Sequence, residues 1–246
     1  YYPNPNQILT GQYWDYFLSA PYFNAGFTPQ QLHRVGIIGL AGGTIAHQFT
    51  QVYGPVPIDG VEIDPDIVDV GRKYFNMNEP NLHVYIQDGR TFIETTHAQY
   101  DLVVIDAFQQ PYIPFQLTTR EFFTAIRSHL SSTGVVAINT GHTANDFRLV
   151  QAFVNTMSQV FPSVYVFNVP GTFNAEVMAT VQRTSIDTFR SSMAQFSPTT
   201  TMGQVANEVL PTVTQGHSDG GIVFTDDKAP IEQITDQLLL NYIQGH

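Results

Sequence analysis

Four short apolar runs, RVGIIGL (34–40), IDGVEID (58–64), LHVYIQD (82–88) and YDLVVIDA (100–107), end on glycine or an acid, and a helix-length stretch follows each. Few folds accept that pattern. Strands with almost no polar residues must be covered on both faces, and an intervening helix brings each new strand back parallel to the last. GVVAINT (134–140), SVYVFNV (163–169) and EVMATVQR (176–183) continue the series, with helices expected over 44–53, 65–75, from Gly89, 119–130 and 145–160. The last two runs have a short connection, which predicts an antiparallel hairpin at the sheet edge. The expected fold is α/β and Rossmann-like, a mostly parallel seven-stranded sheet with helices on both faces.

Residues 1–34 are aromatic and turn-rich and are expected to form a small element packing on the main domain. Residues 35–246 are expected to be that domain, ending in a helix over APIEQITDQLLLNYI. A chain of 246 residues is long enough for one substantial core. Its net charge of −11 argues against nucleic acid, whose phosphates need lysine and arginine. With no cysteine, disulfides, thiolate metal sites and thiol catalysis are excluded. His33, His47, His83, His97, His129 and His217 lack metal-ligand spacing, so no metal is expected. No apolar run approaches the roughly 20 residues of a membrane span. The opening YYPNPNQIL lacks a methionine and reads as an excised piece.

Ligands of open α/β sheets bind outside the carboxyl ends of the strands. In GIIGLAGGT (36–44), Gly39, Gly42 and Gly43 allow a tight turn and close approach of backbone to ligand at a helix start. Glu62 follows Gly39 by 23 residues, the spacing of a ribose-hydroxyl acceptor. Asp88 and Asp106 end the next two strands. Any one of these acids is as readily a helix cap, and Asp64, before PDIV, is read that way. As a set they point to a nucleoside site.

The combination VGIIGLAGGT, GVEIDPDIVDVGRKYF, VYIQDGRTFI, YDLVVIDA and LTTREFFTAIRSHLSSTGVVAIN resembles the spermidine synthase family, the polyamine aminopropyltransferases with a class I methyltransferase-like fold. The match covers about residues 7 to 183. QPYIPFQLTTREFF and FTDDKAPIEQITD further resemble spermidine-synthase-like domains that follow a membrane-spanning region in fused proteins. The resemblance implies decarboxylated S-adenosylmethionine or S-adenosylmethionine as donor, with methylthioadenosine or S-adenosylhomocysteine as product, and a small-molecule amine as acceptor. It assigns the ribose to Glu62 with Ile63 beside it, the adenine to Asp88 and Gly89, and the thioether chain to the glycine loop. It sets Tyr13, Asp15, Asp106 and Gln109 at the catalytic positions. Expectations also include a membrane-spanning region upstream, a homodimer and a cytoplasmic location.

Two departures from the family pattern bear on the chemistry. Ala41 stands where the family's glycine loop carries aspartate, and Gln109 where its strand-four motif carries a second acid. A glutamine holds a nucleophile by hydrogen bonds but cannot be its base. Three readings stay open: an aminopropyltransferase drawing carboxylates from Asp15, Asp106, Asp226, Asp227 or Glu232; a methyltransferase using S-adenosylmethionine; and a non-catalytic nucleoside- or polyamine-binding domain. Gln110, Tyr112 and His142 are further candidates for the acceptor side, with Asp227 and Glu232. Asp226 alone is read more readily as part of a helix start.

Overall fold

Strand and helix alternate from Val35 onward in a computed structural model, which describes residues 7–109 and 111–245. The strands are β1 (Val35–Ile38), β2 (Ile58–Glu62), β3 (Leu82–Ile86), β4 (Tyr100–Ile105), β5 (Leu130–Gly141), β6 (Ser163–Asn168), β7 (Asn174–Thr180) and β8 (Val213–Gln215). The helices are α1 (Thr44–Tyr53), α2 (Pro65–Tyr74), α3 (Gly89–Thr95), α4 (Arg120–His129), α5 (Arg148–Ser158), α6 (Ile186–Ala194), α7 (Thr201–Val209) and α8 (Ile231–Gln244). The sheet order is β3-β2-β1-β4-β5-β7-β6-β8, with β1 to β5 parallel and the last three strands antiparallel to their neighbours.

Two expectations change. Among the described residues the sheet has eight strands instead of seven, because VTQ at 213–215 pairs with β6. Three residues in a polar stretch carry no periodicity to detect. The β6–β7 hairpin is antiparallel, but β7 lies inside the sheet between β5 and β6. Both of its edges are therefore paired.

Local chemistry sets the helix starts. Asp64 accepts from the Asp66 amide at 2.8 Å with Pro65 in the first turn, and Thr119 caps α4 through the Phe122 amide at 3.2 Å. α4 also carries Glu121 in its first turn and Arg127 and His129 in its last, each matched to the helix dipole.

Side chains alternate between two cores. Leu102, Val104, Val135, Ala137 and Met178 face one, which is closed by α1, α6, α7 and a 3-10 segment, Tyr13–Phe23. Val103, Ile105, Val136, Ile138, Val177 and Ala179 face the other, beneath α3, α4, α5 and α8. The 3-10 segment is itself core: Phe23 stacks on Tyr165 at 4.0 Å and on Phe189 at 4.3 Å.

Candidate functional site

Period-two alternation carries three polar side chains to the first face just where the central strands end. Leu102 and Val104 of β4 face that core, so Asp106 does as well; Asn139 follows Val135 and Ala137 of β5, and Glu176 precedes Met178 of β7. Register places them side by side. Ile105 pairs with Ile138, one residue before Asp106 and Asn139, and Asn139 pairs directly with Glu176.

Tyr13, at the start of the 3-10 segment, closes this row from above. Its hydroxyl donates to Asp106 Oδ2 at 3.1 Å, and Asn139 Nδ2 donates to Asp106 Oδ1 at 2.9 Å. Burial raises the Asp106 carboxyl above its ordinary range, and the bonds from Asn139 and Tyr13 pull it back. Burial, then the Asp106 charge, raises the Tyr13 phenol, so it acts here as a donor. Glu176 is fully buried, and neither of its carboxyl oxygens has a hydrogen-bond partner among the described residues. Burial first, and Asp106 second, hold that carboxyl well above the usual carboxylate range.

Asp106 and Tyr13 form the inner end of a cleft of about 1030 Å³. The loop from Gly39 to Ile45 lines it, together with Trp14 and Gln48 on one side and Ile67, Val70 and Phe75 on the other. Gly39 has φ +86°, and a Cβ there would stand 2.4 Å from the Asp106 carbonyl oxygen. The first loop glycine thus lets β1 and β4 meet and seats Asp106. Ala41 turns through φ +47°, uncommon outside glycine, and its amide is held by Glu62 Oε2 at 3.0 Å.

Of the residues expected at a nucleoside, Gly39, Gly42, Gly43 and Asp106 line the cleft. Glu62 lies behind the loop, where its second oxygen accepts from the Asp64 amide at 3.2 Å. Ile63 is 66% exposed at the sheet edge. Asp88 caps α3 through the Thr91 amide at 2.9 Å, with buried Gly89 as the first helical residue.

The expected catalytic and acceptor residues divide. Tyr13 and Asp106 meet. Asp15 is fully buried and accepts from the Thr10 amide and hydroxyl, the Gly11 amide and Gln48 Nε2, so it organises the turn ahead of the 3-10 segment. Gln109 is exposed, and its backbone closes a tight turn with Tyr112, whose hydroxyl donates to Asp236 of α8 at 2.7 Å. Gln110 lies outside the described residues. His142 is buried and stacked on Phe147 at 4.4 Å, with both ring nitrogens against the carbonyl oxygens of Thr143 and Asn174. That leaves neither nitrogen facing a ligand.

Asp227 is exposed in a turn, and Glu232 is exposed in the first turn of α8. Asp226 departs from its helix-start reading. α8 begins five residues later at Ile231, and Asp226 instead takes both Arg90 nitrogens at 2.7 and 2.6 Å and the Thr119 hydroxyl at 2.6 Å. Asn139 and Glu176 were not among the sequence candidates. Their signal was a polar residue inside an otherwise apolar strand, weakened for Glu176 because the expected strand began on it. Among the described residues no group of three His, Asp or Glu side chains is arranged to hold a metal ion. Nor is any helix long and apolar enough to cross a membrane.

A helix-covered, doubly wound sheet with a glycine loop and an acid at the carboxyl edge of its central strands defines a class, the α/β proteins that bind ligands at that edge. The model of the spermine/spermidine synthase domain matches residues 24–192, and the chain belongs to that family. A probable polyamine aminopropyl transferase of Bifidobacterium longum is 32% identical over 243 residues, covering 91% of this chain and 52% of that protein. The chain thus spans about half the length of that relative. The fold is shared with a probable spermidine synthase from Corynebacterium glutamicum (TM-score 0.71, 21% identity, 91% of this chain and 83% of that one). It is shared too with human methyltransferase-like protein 13 in complex with SAH (TM-score 0.64, 21% identity, 84% of this chain and 95% of that one).

Proposed function

We propose that this domain binds an S-adenosyl-type nucleoside, with decarboxylated S-adenosylmethionine as donor, and alkylates an amine such as a polyamine. The observation that carries this reading is Asp106, half-buried where it lines the cleft and held by Tyr13 and Asn139. The cleft volume of about 1030 Å³ sits at the top of the range of small-molecule sites, roughly 300–1,000 Å³. The glycine loop forms its floor. Behind the loop, each Glu62 oxygen accepts one backbone amide, from Ala41 and from Asp64, and keeps a lone pair for a ribose hydroxyl that reaches past the loop. Membership of the spermine/spermidine synthase family supports the transfer half of the proposal.

The donor supplies a sulfonium whose adjacent carbon is open to displacement. The chain's own residues prepare the amine. An aliphatic amine arrives protonated near neutral pH and must lose a proton before its lone pair is free. Asp106 is the acid positioned to take it, because burial raises its proton affinity toward that of the amine. Tyr13 and Asn139 fix the carboxylate plane, so its remaining lone pairs are aimed rather than free to rotate.

A second reading, methyl transfer from S-adenosylmethionine itself, is favoured by Ala41 and Gln109. A loop without an acid leaves space for the carboxylate that the decarboxylated donor lacks. Calorimetry with methylthioadenosine, decarboxylated donor and S-adenosylmethionine, joined to a turnover assay over several amines, tests both. The expected result is tighter binding of the decarboxylated donor and release of methylthioadenosine. Tighter binding of S-adenosylmethionine selects the second reading. Nucleoside binding with no alkylated product from any amine leaves a binding domain.

A further inference from the structure

Neither Ala41 in the glycine loop nor Gln109 beyond β4 offers a carboxyl, yet one fully buried acid, Glu176, stands in the same row as Asp106 and has no assigned work. The structure assigns Glu176 the place of the second carboxyl: paired with Asp106, it enables the site to hold a primary ammonium group. This rests on the nucleoside-dependent transfer proposed above.

The geometry is that of three adjacent strands. Asn139 lies between the two acids, directly opposite Glu176 in the β5–β7 register and bonded to Asp106 at 2.9 Å. Neighbouring strands are spaced about 4.8 Å apart, so the two carboxyls are separated by a single side chain. Three atoms of this row are buried with no partner among the described residues: Asn139 Oδ1, Glu176 Oε1 and Glu176 Oε2. A structural glutamate within a core is expected to have its oxygens satisfied. Three unsatisfied polar oxygens beside an acid that opens on a cleft instead mark a place prepared for positive charge.

Among the described residues nothing else on this face supplies that charge. The titratable groups facing Glu176 are Asp106 from β4, and Tyr13 and Tyr16 from the 3-10 segment; none is a cation. With the cleft empty, Glu176 keeps its proton and the row carries the single charge of Asp106. An ammonium arriving at Asp106 lowers the cost of a second negative charge, and the Glu176 proton leaves to solvent. Glu176 thus acts through Asp106 as a positioning residue, supplying from β7 a carboxyl that Gln109 does not provide. Two ligands bear such a group: the aminopropyl tail of the donor and the amine acceptor.

The test measures proton release on binding, by calorimetry near pH 7 in buffers of different ionisation enthalpy. Wild type is expected to release about one proton per ammonium-bearing ligand bound, and the Glu176→Gln protein close to none, with affinity reduced about tenfold. Methylthioadenosine, which has no ammonium, is expected to bind both proteins equally without release. Decarboxylated donor alone, and spermidine added to the methylthioadenosine complex, tell which ammonium is held. Glu176→Asp, which retains a titrating carboxyl, is expected to restore the release, and thermal unfolding checks that each variant folds. Equal proton release and equal affinity in wild type and Glu176→Gln overturn the assignment while leaving the nucleoside reading intact. Failure of wild type to bind methylthioadenosine overturns the nucleoside reading, and the assignment falls with it.

Discussion

Gly39→Ala separates the cost of a strained backbone from the cost of moving Asp106. The new Cβ would stand 2.4 Å from the Asp106 carbonyl oxygen, 2.6 Å from its carbon and 2.7 Å from Ala107 Cα. All three are backbone atoms, so no rotamer change relieves the overlap. Carbon contacts settle near 3.5–4.0 Å, so the end of β4 must retreat by about 1 Å. Left-handed φ costs an alanine about 1–2 kcal/mol, and forcing an extra methyl into packed structure about 1–3 kcal/mol. The sum, about 2–5 kcal/mol, is a large part of the roughly 5–15 kcal/mol that stabilises a domain. Gly171→Ala is the control, because Gly171 has φ +75° and nothing within 4 Å of the added methyl. It is expected to lose only the backbone share, about 1–2 kcal/mol. Urea unfolding gives the two stabilities, and calorimetry with methylthioadenosine followed by turnover gives the two functions. A displacement of about 1 Å at reacting groups costs on the order of 100-fold in rate, so Gly39→Ala is expected to lose that much while Gly171→Ala keeps wild-type turnover. Equal stability losses in the two variants, or a folded Gly39→Ala protein with unchanged turnover, would refute the claim that this glycine seats the acid.

Tyr13→Phe removes one of the two hydrogen bonds that lower the Asp106 pKa, so the acidic limb of the pH–rate profile is expected to move upward, with kcat lower by about 10–100-fold. Glu176 makes folding stability fall as pH rises. Well below the ordinary carboxylate range both folded and unfolded chains hold its proton; above that range the unfolded chain releases it while the folded chain keeps it, until pH passes the raised folded value. Urea unfolding at about pH 4, 6 and 8 is expected to show this slope in wild type and a flatter one in Glu176→Gln. Asp226→Ala is expected to cost about 1 kcal/mol, because it frees Arg90 and Thr119 at a partly exposed site, and to leave methylthioadenosine affinity unchanged.

The strand–helix alternation was legible because apolar runs bounded by helix starts have few other uses. Asp64 shows it at single-residue scale: an acid followed by proline and an amphipathic stretch is a cap, and the Asp66 amide is bonded to it. Asp106 was legible as a strand-end acid. Glu176 was not, because its meaning depends on β7 lying inside the sheet, and a short hairpin connection suggests an edge. On an edge the same glutamate has solvent beside its strand and needs no explanation. His142 and Asp15 mislead in the opposite direction. Each is a chemistry-bearing residue near the site in sequence, and each has its polar atoms taken by other groups of the chain, Asp15 by Thr10, Gly11 and Gln48 and His142 by the Thr143 and Asn174 carbonyls. Whether a polar atom is already occupied is a property of three-dimensional neighbours, and spacing along the chain does not carry it.

The 3-10 segment that closes the first core also sets when the site comes into being. Tyr13 reaches an acid 93 residues further along, and that acid waits for an amide another 33 residues on. During synthesis Tyr13 leaves the ribosome early and has nothing to donate to. Asp106 follows, still without Asn139, and Glu176 emerges only with β7. Until that strand stands between β5 and β6, the row of Asp106, Asn139 and Glu176 is incomplete. The row therefore arrives late, with the seventh strand, and no nascent chain that stops short of β7 contains it.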